Sequence, residues 1–295
     1  MTRTDLHVHS RYSNDGELAI EEIVNRSLAK GISVLSVTDH NIVGGTTEAL
    51  KLCRNSNINF IPGIEIDCQY KGTDMHLLGY QIDWKNGEIL ALETIAEKKM
   101  MDAVPLMIQS LALAGIEIDG DELMEKAGQM LPSPELFAEV LLTNKDYHTN
   151  ILLLPYLEGG ERSDMPYINF YLDYFAQGKP AYVKIDHMRF NEAVEIIKNS
   201  GGIPVVAHPG LNFKGEEKVV AELLKEGAAG LEVFNNYHSS DQMEYFASLC
   251  RKSGSLMTGG SDFHGKIKPL INIGVYPILD SFQNDLNHSI EMIVS

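Results

Sequence analysis

Short apolar runs separated by stretches of helical spacing set the rhythm of the first 83 residues. Residues 6–8 form a brief strand-like run. Over 18–30, Leu18, Ile20, Ile23, Val24 and Leu28 recur near a 3.6-residue period and Gly31 follows as a stop, which predicts a helix. ISVLSVT (32–38) predicts a buried strand, 46–56 a helix, INFIPGIEI (58–66) a strand and MHLLGYQI (75–82) another. Strands alternating with helices predict βα units and a parallel sheet.

The rhythm changes near residue 86. From there to about 175 the pattern is mainly helical, with Pro-containing breaks at 131–134 and 164–166. The βα alternation then resumes: a helix near 190–200, a strand in GGIPVVAHP (201–209), a helix at 215–226, a strand in AAGLEVF (228–234), a helix at 240–253, and a strand ending in LMTGGSDFHG (256–265). The count is about seven strands. The expectation is a discontinuous α/β barrel over 1–85 and 176–295, interrupted by an inserted, lid-like helical subdomain over 86–175.

Composition sharpens this picture. The net charge is −17, and segment 86–175 holds 16 acidic against 5 basic residues, most of the excess acid of the chain. Extended nucleic-acid binding needs clustered Lys and Arg, so it is not expected. A phosphate-bearing substrate would need local neutralisation, and metal ions are the natural local cations. Three scattered cysteines (Cys53, Cys68, Cys250) form no CxxC pair, which points to a reducing compartment. Neither a signal peptide nor a membrane-length apolar run is visible. The expected location is cytoplasmic.

The candidate chemistry sits where predicted strands end, the rim on which barrel enzymes build their sites. His7 and His9 are two apart on a strand, so both face one side. Asp15 follows in SNDG, where Gly16 permits a tight turn. His40 closes TDH, Glu65 lies in GIEI, His76 opens the next strand, His208 ends another, and Asp262 and His264 alternate in DFH. His148, His187 and His288 read as ordinary polar residues. Imidazole and carboxylate without cysteine suit Zn, Mn or Fe(II). Nine donors exceed the needs of one ion, so two or three divalent metals are expected.

The segments DLHVHS, SNDG, TDH, GIE, MHLLGY, AHPG and GGSDFHG resemble, in order, the motifs of the PHP family, named for polymerase and histidinol phosphatase domains. The likeness covers roughly 1–83 and 180–275, and the insertion resembles that of the family's nucleotide-phosphate hydrolases. It implies a distorted (β/α)7 barrel with a trinuclear site. Carried over, His7, His9, Glu65 and Asp262 would hold the first metal. Glu65 would bridge to the second, completed by His76 and His208. Asp15, His40 and His264 would hold the third. The implied activity is hydrolysis of a small phosphomonoester by metal-activated hydroxide. His238, in EVFNNYHSS, matches a family position near the substrate phosphate and is a candidate contact or acid; the alternative is an exposed loop histidine. Asp39 is a candidate for orienting a ligand imidazole, or else caps its loop. Lys184 and Arg189 are candidate phosphate contacts, or else belong to a solvated turn.

One departure stands out. Where the nucleotide hydrolases carry an Arg and a His in a helix start resembling RPHIA, this chain has PSPELFAEVL (132–141), with Glu135 and Glu139. An acidic lid repels a second phosphate, which favours a phosphomonoester or small phosphodiester over a 3′,5′-bisphosphate or an oligoribonucleotide taken by a 5′-3′ exoribonuclease. Two other readings stay open. One is a non-catalytic, metal-stabilised scaffold, which usually shows lost ligands. The other is an amidohydrolase, which commonly adds a carboxylated strand lysine not found here.

Overall fold

The computed structural model describes residues 3–128 and 130–295. Its elements run β1 (Thr4–Asp5), α1 (Ile20–Ala29), β2 (Val34–Leu35), α2 (Thr46–Asn55), β3 (Asn59–Phe60), β4 (Gly63–Tyr70) and β5 (Thr73–Tyr80). Four helices follow: α3 (Gly87–Leu113), α4 (Gly120–Ala127), α5 (Pro134–Thr143) and α6 (Pro166–Phe170), with tighter turns at Lys145–Thr149 and Ile151–Tyr156 and a wider turn at Tyr171–Phe175. Then come β6 (Met188–Arg189), α7 (Phe190–Asn199), β7 (Ile203–Val206), α8 (Pro209–Asn212), α9 (Val220–Lys225), β8 (Gly230–Phe234), α10 (Ser240–Ser253), β9 (Leu256–Gly259) and α11 (Gln283–Val294).

The strands form a three-stranded parallel sheet, β1-β2-β3, and a six-stranded mixed sheet, β6-β4-β5-β7-β8-β9. The expectation of a purely parallel sheet is therefore corrected. β4 and β5 are an antiparallel hairpin, and β5 also runs antiparallel to β7. The hairpin turns at Lys71 and Gly72, with φ of 51° and 86°. Positive φ at both central residues matches the right-handed strand twist, and Lys-Gly is a weaker sequence signal for it than Asn-Gly. The third strand expected at 58–66 is broken at Pro62 into β3 and β4, and β6 is a further strand, so the described residues hold nine strands where about seven were counted. Helix α11, with Leu286, Ile290 and Ile293 buried on one face, was not anticipated.

Isolated bridges join the margins of the two sheets. Val8 pairs with Phe263 and His40 with Glu65, both in parallel. Backbone bonds Leu6 N–H to Gly259 O, His9 N–H to Phe263 O and Glu65 N–H to Asp39 O run along the same seams.

Three apolar clusters hold the fold. The largest joins the mixed sheet to α7, α10 and α11; a second lies under α1 and α2. The helices after residue 87 bury their own cluster around Leu111, Phe137, Leu141 and Phe170. Phe246, fully buried on α10, is expected to cost about 3–5 kcal/mol on truncation to Ala, since the cavity adds to the lost transfer energy; urea unfolding measures it. Among the described residues no helix is long and apolar enough to cross a membrane.

Candidate metal centre

β1 runs on into residues 6–9, where alternation turns His7 and His9 to one side. The bend after β9 carries Asp262 back against them: Asp262 N–H donates to His7 O at 2.9 Å. Gly260 permits this approach, because a Cβ there would overlap the His7 side chain and backbone. Gly16 does the same for the Asp15 loop, where a Cβ would strike the Ser10 carbonyl. Two donors sit on left-handed backbone, His208 at φ 23° and Asp262 at φ 57°. Non-glycine residues rarely adopt it, and such strain concentrates at functional sites.

The structure brings all nine expected side chains together. Glu65 is fully buried at the centre. Its Oε2 lies 2.9 Å from His7 Nε2 and 3.0 Å from His9 Nε2, and its Oε1 lies 3.1 Å from both His76 Nδ1 and His208 Nε2. Asp262 Oδ1 is 3.3 Å from both His7 and His9 Nε2. Asp15 Oδ2 is 3.0 Å from His264 Nε2 and 3.6 Å from His40 Nε2. The donor atoms form four overlapping groups: His7, His9, Glu65 and Asp262; Glu65, His76 and His208; His9, Asp15, His40 and His264; and His40, Asp67 and His76, with all donors of a group within 4.8 Å of one another.

The donor set fits divalent cations. His7 and His9 present Nε2 to each other at 3.1 Å, an arrangement that two lone pairs adopt comfortably only around a shared cation or proton. Burial works against a charged His7, yet Glu65, Glu232 and Asp262 outweigh it and hold its pKa well above the ordinary value. Burial likewise disfavours ionised Glu65, but His7, His40 and His76 hold it well below the carboxylate range. His9 is pushed down, by burial and then by His264. The cluster thus concentrates opposed ionisable groups as functional sites do.

Residues behind the cluster were missed from sequence. Glu232 accepts from His7 Nδ1 at 2.9 Å and from the His208 backbone N–H at 2.8 Å; a lone acid in the apolar strand AAGLEVF was its signal. Asp67 stands two residues past Glu65 on the same strand face. Lys268 Nζ donates to Asp262 Oδ2 at 2.6 Å, and the Tyr237 hydroxyl donates to the same oxygen at 2.7 Å. Lys268 is the one buried Lys or Arg among the described residues.

Four expected contributors take other places. His238 is neither an exposed loop histidine nor free to meet a phosphate. It is buried, Nδ1–H donates to Val233 O at 2.8 Å and Nε2 accepts from Gly210 N–H at 3.0 Å. Asp39 hydrogen-bonds to no imidazole among the described residues; its carboxylate accepts from the Ser10 N–H at 2.6 Å and hydroxyl at 2.7 Å, so it fastens the loop. Lys184 and Arg189 are exposed and are not drawn into the cluster. Arg189 lies across from Gln69, four residues along β4 from Glu65.

The helical segment reaches the cluster through Glu135, at the first turn of α5. Burial, followed by the charge of Asp15, raises its carboxyl to about 7. The folded state therefore holds a proton that the unfolded chain releases near 4.5, and stability falls as pH rises from about 4.5 to 7. In the metal-free protein, Glu135→Gln is expected to be more stable than wild type above pH 7 and to differ little near pH 4.5. Urea unfolding at the two pH values checks this.

Histidines and carboxylates clustered at the strand ends of an α/β fold define a candidate metal-binding protein. The chain belongs to the PHP domain family, whose model matches residues 5–232. It is 31% identical to a 3′,5′-nucleoside bisphosphate phosphatase of Chromobacterium violaceum, over 90% of this chain and 88% of that one. It is 28% identical to a 5′-3′ exoribonuclease of Haemophilus influenzae, over 94% and 98%. A solved amidohydrolase from Chromobacterium violaceum with bound sulfate and no metal superposes with a TM-score of 0.76 at 28% identity, over 98% and 97%. The chain is a hydrolase of phosphoric ester bonds.

Proposed function

We propose that the protein hydrolyses a small phosphomonoester, a nucleotide or another phosphorylated metabolite, with two or three divalent ions (Mn, Zn or Fe). His7, His9, Glu65 and Asp262 would hold one; Glu65, His76 and His208 a second; Asp15, His40 and His264 a third. The observation that carries this reading is Glu65, whose two oxygens each face two imidazoles. When bound, such ions polarise phosphoryl oxygens and make water acidic enough to serve as a nucleophile near neutrality.

The chain's own groups supply the rest. Glu232 holds the His7 ring and the strained His208 backbone in place. Lys268 and Tyr237 occupy the outer oxygen of Asp262, leaving Oδ1 turned to the cluster. We read β1, β2, β4, β5, β7, β8 and β9 as a distorted (β/α)7 barrel over 1–85 and 176–295. The bridges at Val8–Phe263 and His40–Glu65 support its closure. Residues 86–175 then form a lid that shields the reacting phosphate from bulk water. That lid touches the rest of the chain where Leu131 N–H meets Asn14 and Lys266 pairs with Glu139 at 2.8 Å. Three buried free cysteines suit a reducing, cytoplasmic setting.

The relative in Chromobacterium violaceum favours a 3′,5′-bisphosphate nucleotide as a second reading. The stretch 132–141 favours the monoester, since it offers a second phosphate no Lys, Arg or His and the neighbouring Lys266 is spent on Glu139. The test strips the protein with chelator and adds back Mn or Zn singly. The substrates are p-nitrophenyl phosphate, nucleoside monophosphates and 3′,5′-bisphosphates, with Asp15→Asn and His9→Ala as controls. Monoester turnover is expected only with metal and only in wild type. Full turnover without metal, or equal background from all three proteins, would overturn the reading.

A further inference from the structure

Asp67 belongs to none of the three metal positions above, yet it lies between two of them. Its Oδ1 is 3.1 Å from His40 Nδ1 and 3.6 Å from His76 Nε2. The opposite nitrogens of these rings face the cluster. His40 Nε2 is 3.6 Å from both Asp15 Oδ2 and Glu65 Oε2. His76 Nδ1 is 3.1 Å from Glu65 Oε1 and 3.4 Å from His208 Nε2. The two rings meet edge to face, centroids 4.8 Å apart.

Asp67 is itself held. Asn41 Nδ2 donates to Asp67 Oδ2 at 2.8 Å, and the Asp67 backbone N–H donates to Asn41 Oδ1 at 3.0 Å. Asn41 sits at φ 58°, a left-handed conformation that Asn tolerates better than most residues. One carboxylate oxygen is thus left to serve two imidazoles.

We propose that Asp67 is a positioning residue whose single oxygen Oδ1 selects opposite tautomers in His40 and His76 and so links two metal positions. A neutral imidazole donates from one nitrogen and binds metal through the other, and the hydrogen bond made by the first decides which. Hydrogen-bonded to Asp67, His40 carries its proton on Nδ1 and offers Nε2; the same charge, 3.6 Å from His76 Nε2 and beyond hydrogen-bond length, favours a proton there and leaves Nδ1 to the metal. The inference rests on reading the cluster as a metal centre.

The test uses metal-free wild type, Asp67→Ala, Asp67→Asn and Asn41→Ala. Each is titrated with Mn(II) and Zn(II) by calorimetry, with bound metal counted, and imidazole 15N spectra are recorded before metal is added, at a pH high enough that the rings are neutral. Asp67→Ala is expected to weaken two ions together by roughly 10- to 100-fold, while the ion at His7, His9, Glu65 and Asp262 keeps its affinity. Asp67→Asn should fall between, and Asn41→Ala should weaken the same two ions less. The 15N signals of His40 and His76 should lose their fixed tautomers, and that of His7, held by Glu232, should not. A general packing defect would not sort the imidazoles in this way. If Asp67→Ala does not fold, Asp67→Asn and Asn41→Ala decide the matter. Unchanged affinities, weakening of one ion alone, or unchanged tautomers overturn the proposal while leaving the metal centre standing. A wild type that takes up no divalent metal overturns both.

Discussion

Glu65→Gln is expected to lower kcat roughly a thousandfold. Glutamine keeps the shape of the side chain but removes the charge and turns one acceptor oxygen into an amide donor. Both oxygens of Glu65 are engaged, at 2.9 and 3.0 Å to His7 and His9 and at 3.1 Å to His76 and His208. No orientation of an amide serves all four nitrogens. Metals contribute several kcal/mol of charge stabilisation to such reactions, and each 1.36 kcal/mol is about tenfold in rate, so three decades correspond to about 4 kcal/mol. Steady-state kinetics with metal counting on the same samples checks this. A loss under about tenfold, with full metal content, would show that Glu65 is not shared between ions.

The second large effect concerns stability. Lys268→Met is expected to destabilise the metal-free protein by about 3–5 kcal/mol, because it leaves the buried Asp262 carboxylate without its ammonium partner. Only the Tyr237 hydroxyl then remains on Oδ2. Metal should return part of the loss, since a cation on Oδ1 compensates the same carboxylate. The observable is a difference. The gap in unfolding free energy between wild type and Lys268→Met narrows when Mn(II) or Zn(II) is added. A gap that is equal with and without metal would mean that Asp262 does not face the ion.

The central geometry was readable because alternation on a strand is a strong rule. HxH on an extended segment puts two donors on one face whatever the surrounding fold, whereas Asp262 and His264 reach the cluster through the bend after β9, with Asp262 at φ 57°. The same rule also pointed, unheeded, to Asp67, two residues after Glu65. The helices with clear apolar stripes, α1, α2, α7 and α10, were found near their true ends. The β4–β5 hairpin was not, since Asp67, Gln69 and Tyr70 interrupt the apolar run and Lys-Gly is a muted turn. Strand count and direction therefore went astray together. Lys268 and Tyr237 carry no local signal, because their roles come from loops brought together only in three dimensions. His238 and Asp39 misled for the opposite reason. Each stands beside a motif, but their polar atoms are spent on backbone or on Ser10.

Glu65 shared between divalent cations is the heart of the proposed centre. Anomalous diffraction from crystals soaked in Mn(II) or Zn(II) tests it most directly. Two or three peaks are predicted around Glu65, one among His7, His9 and Asp262, one beside His76 and His208, and one beside Asp15, His40 and His264. Ions bound only elsewhere on the protein, with none within coordinating distance of Glu65, would contradict it.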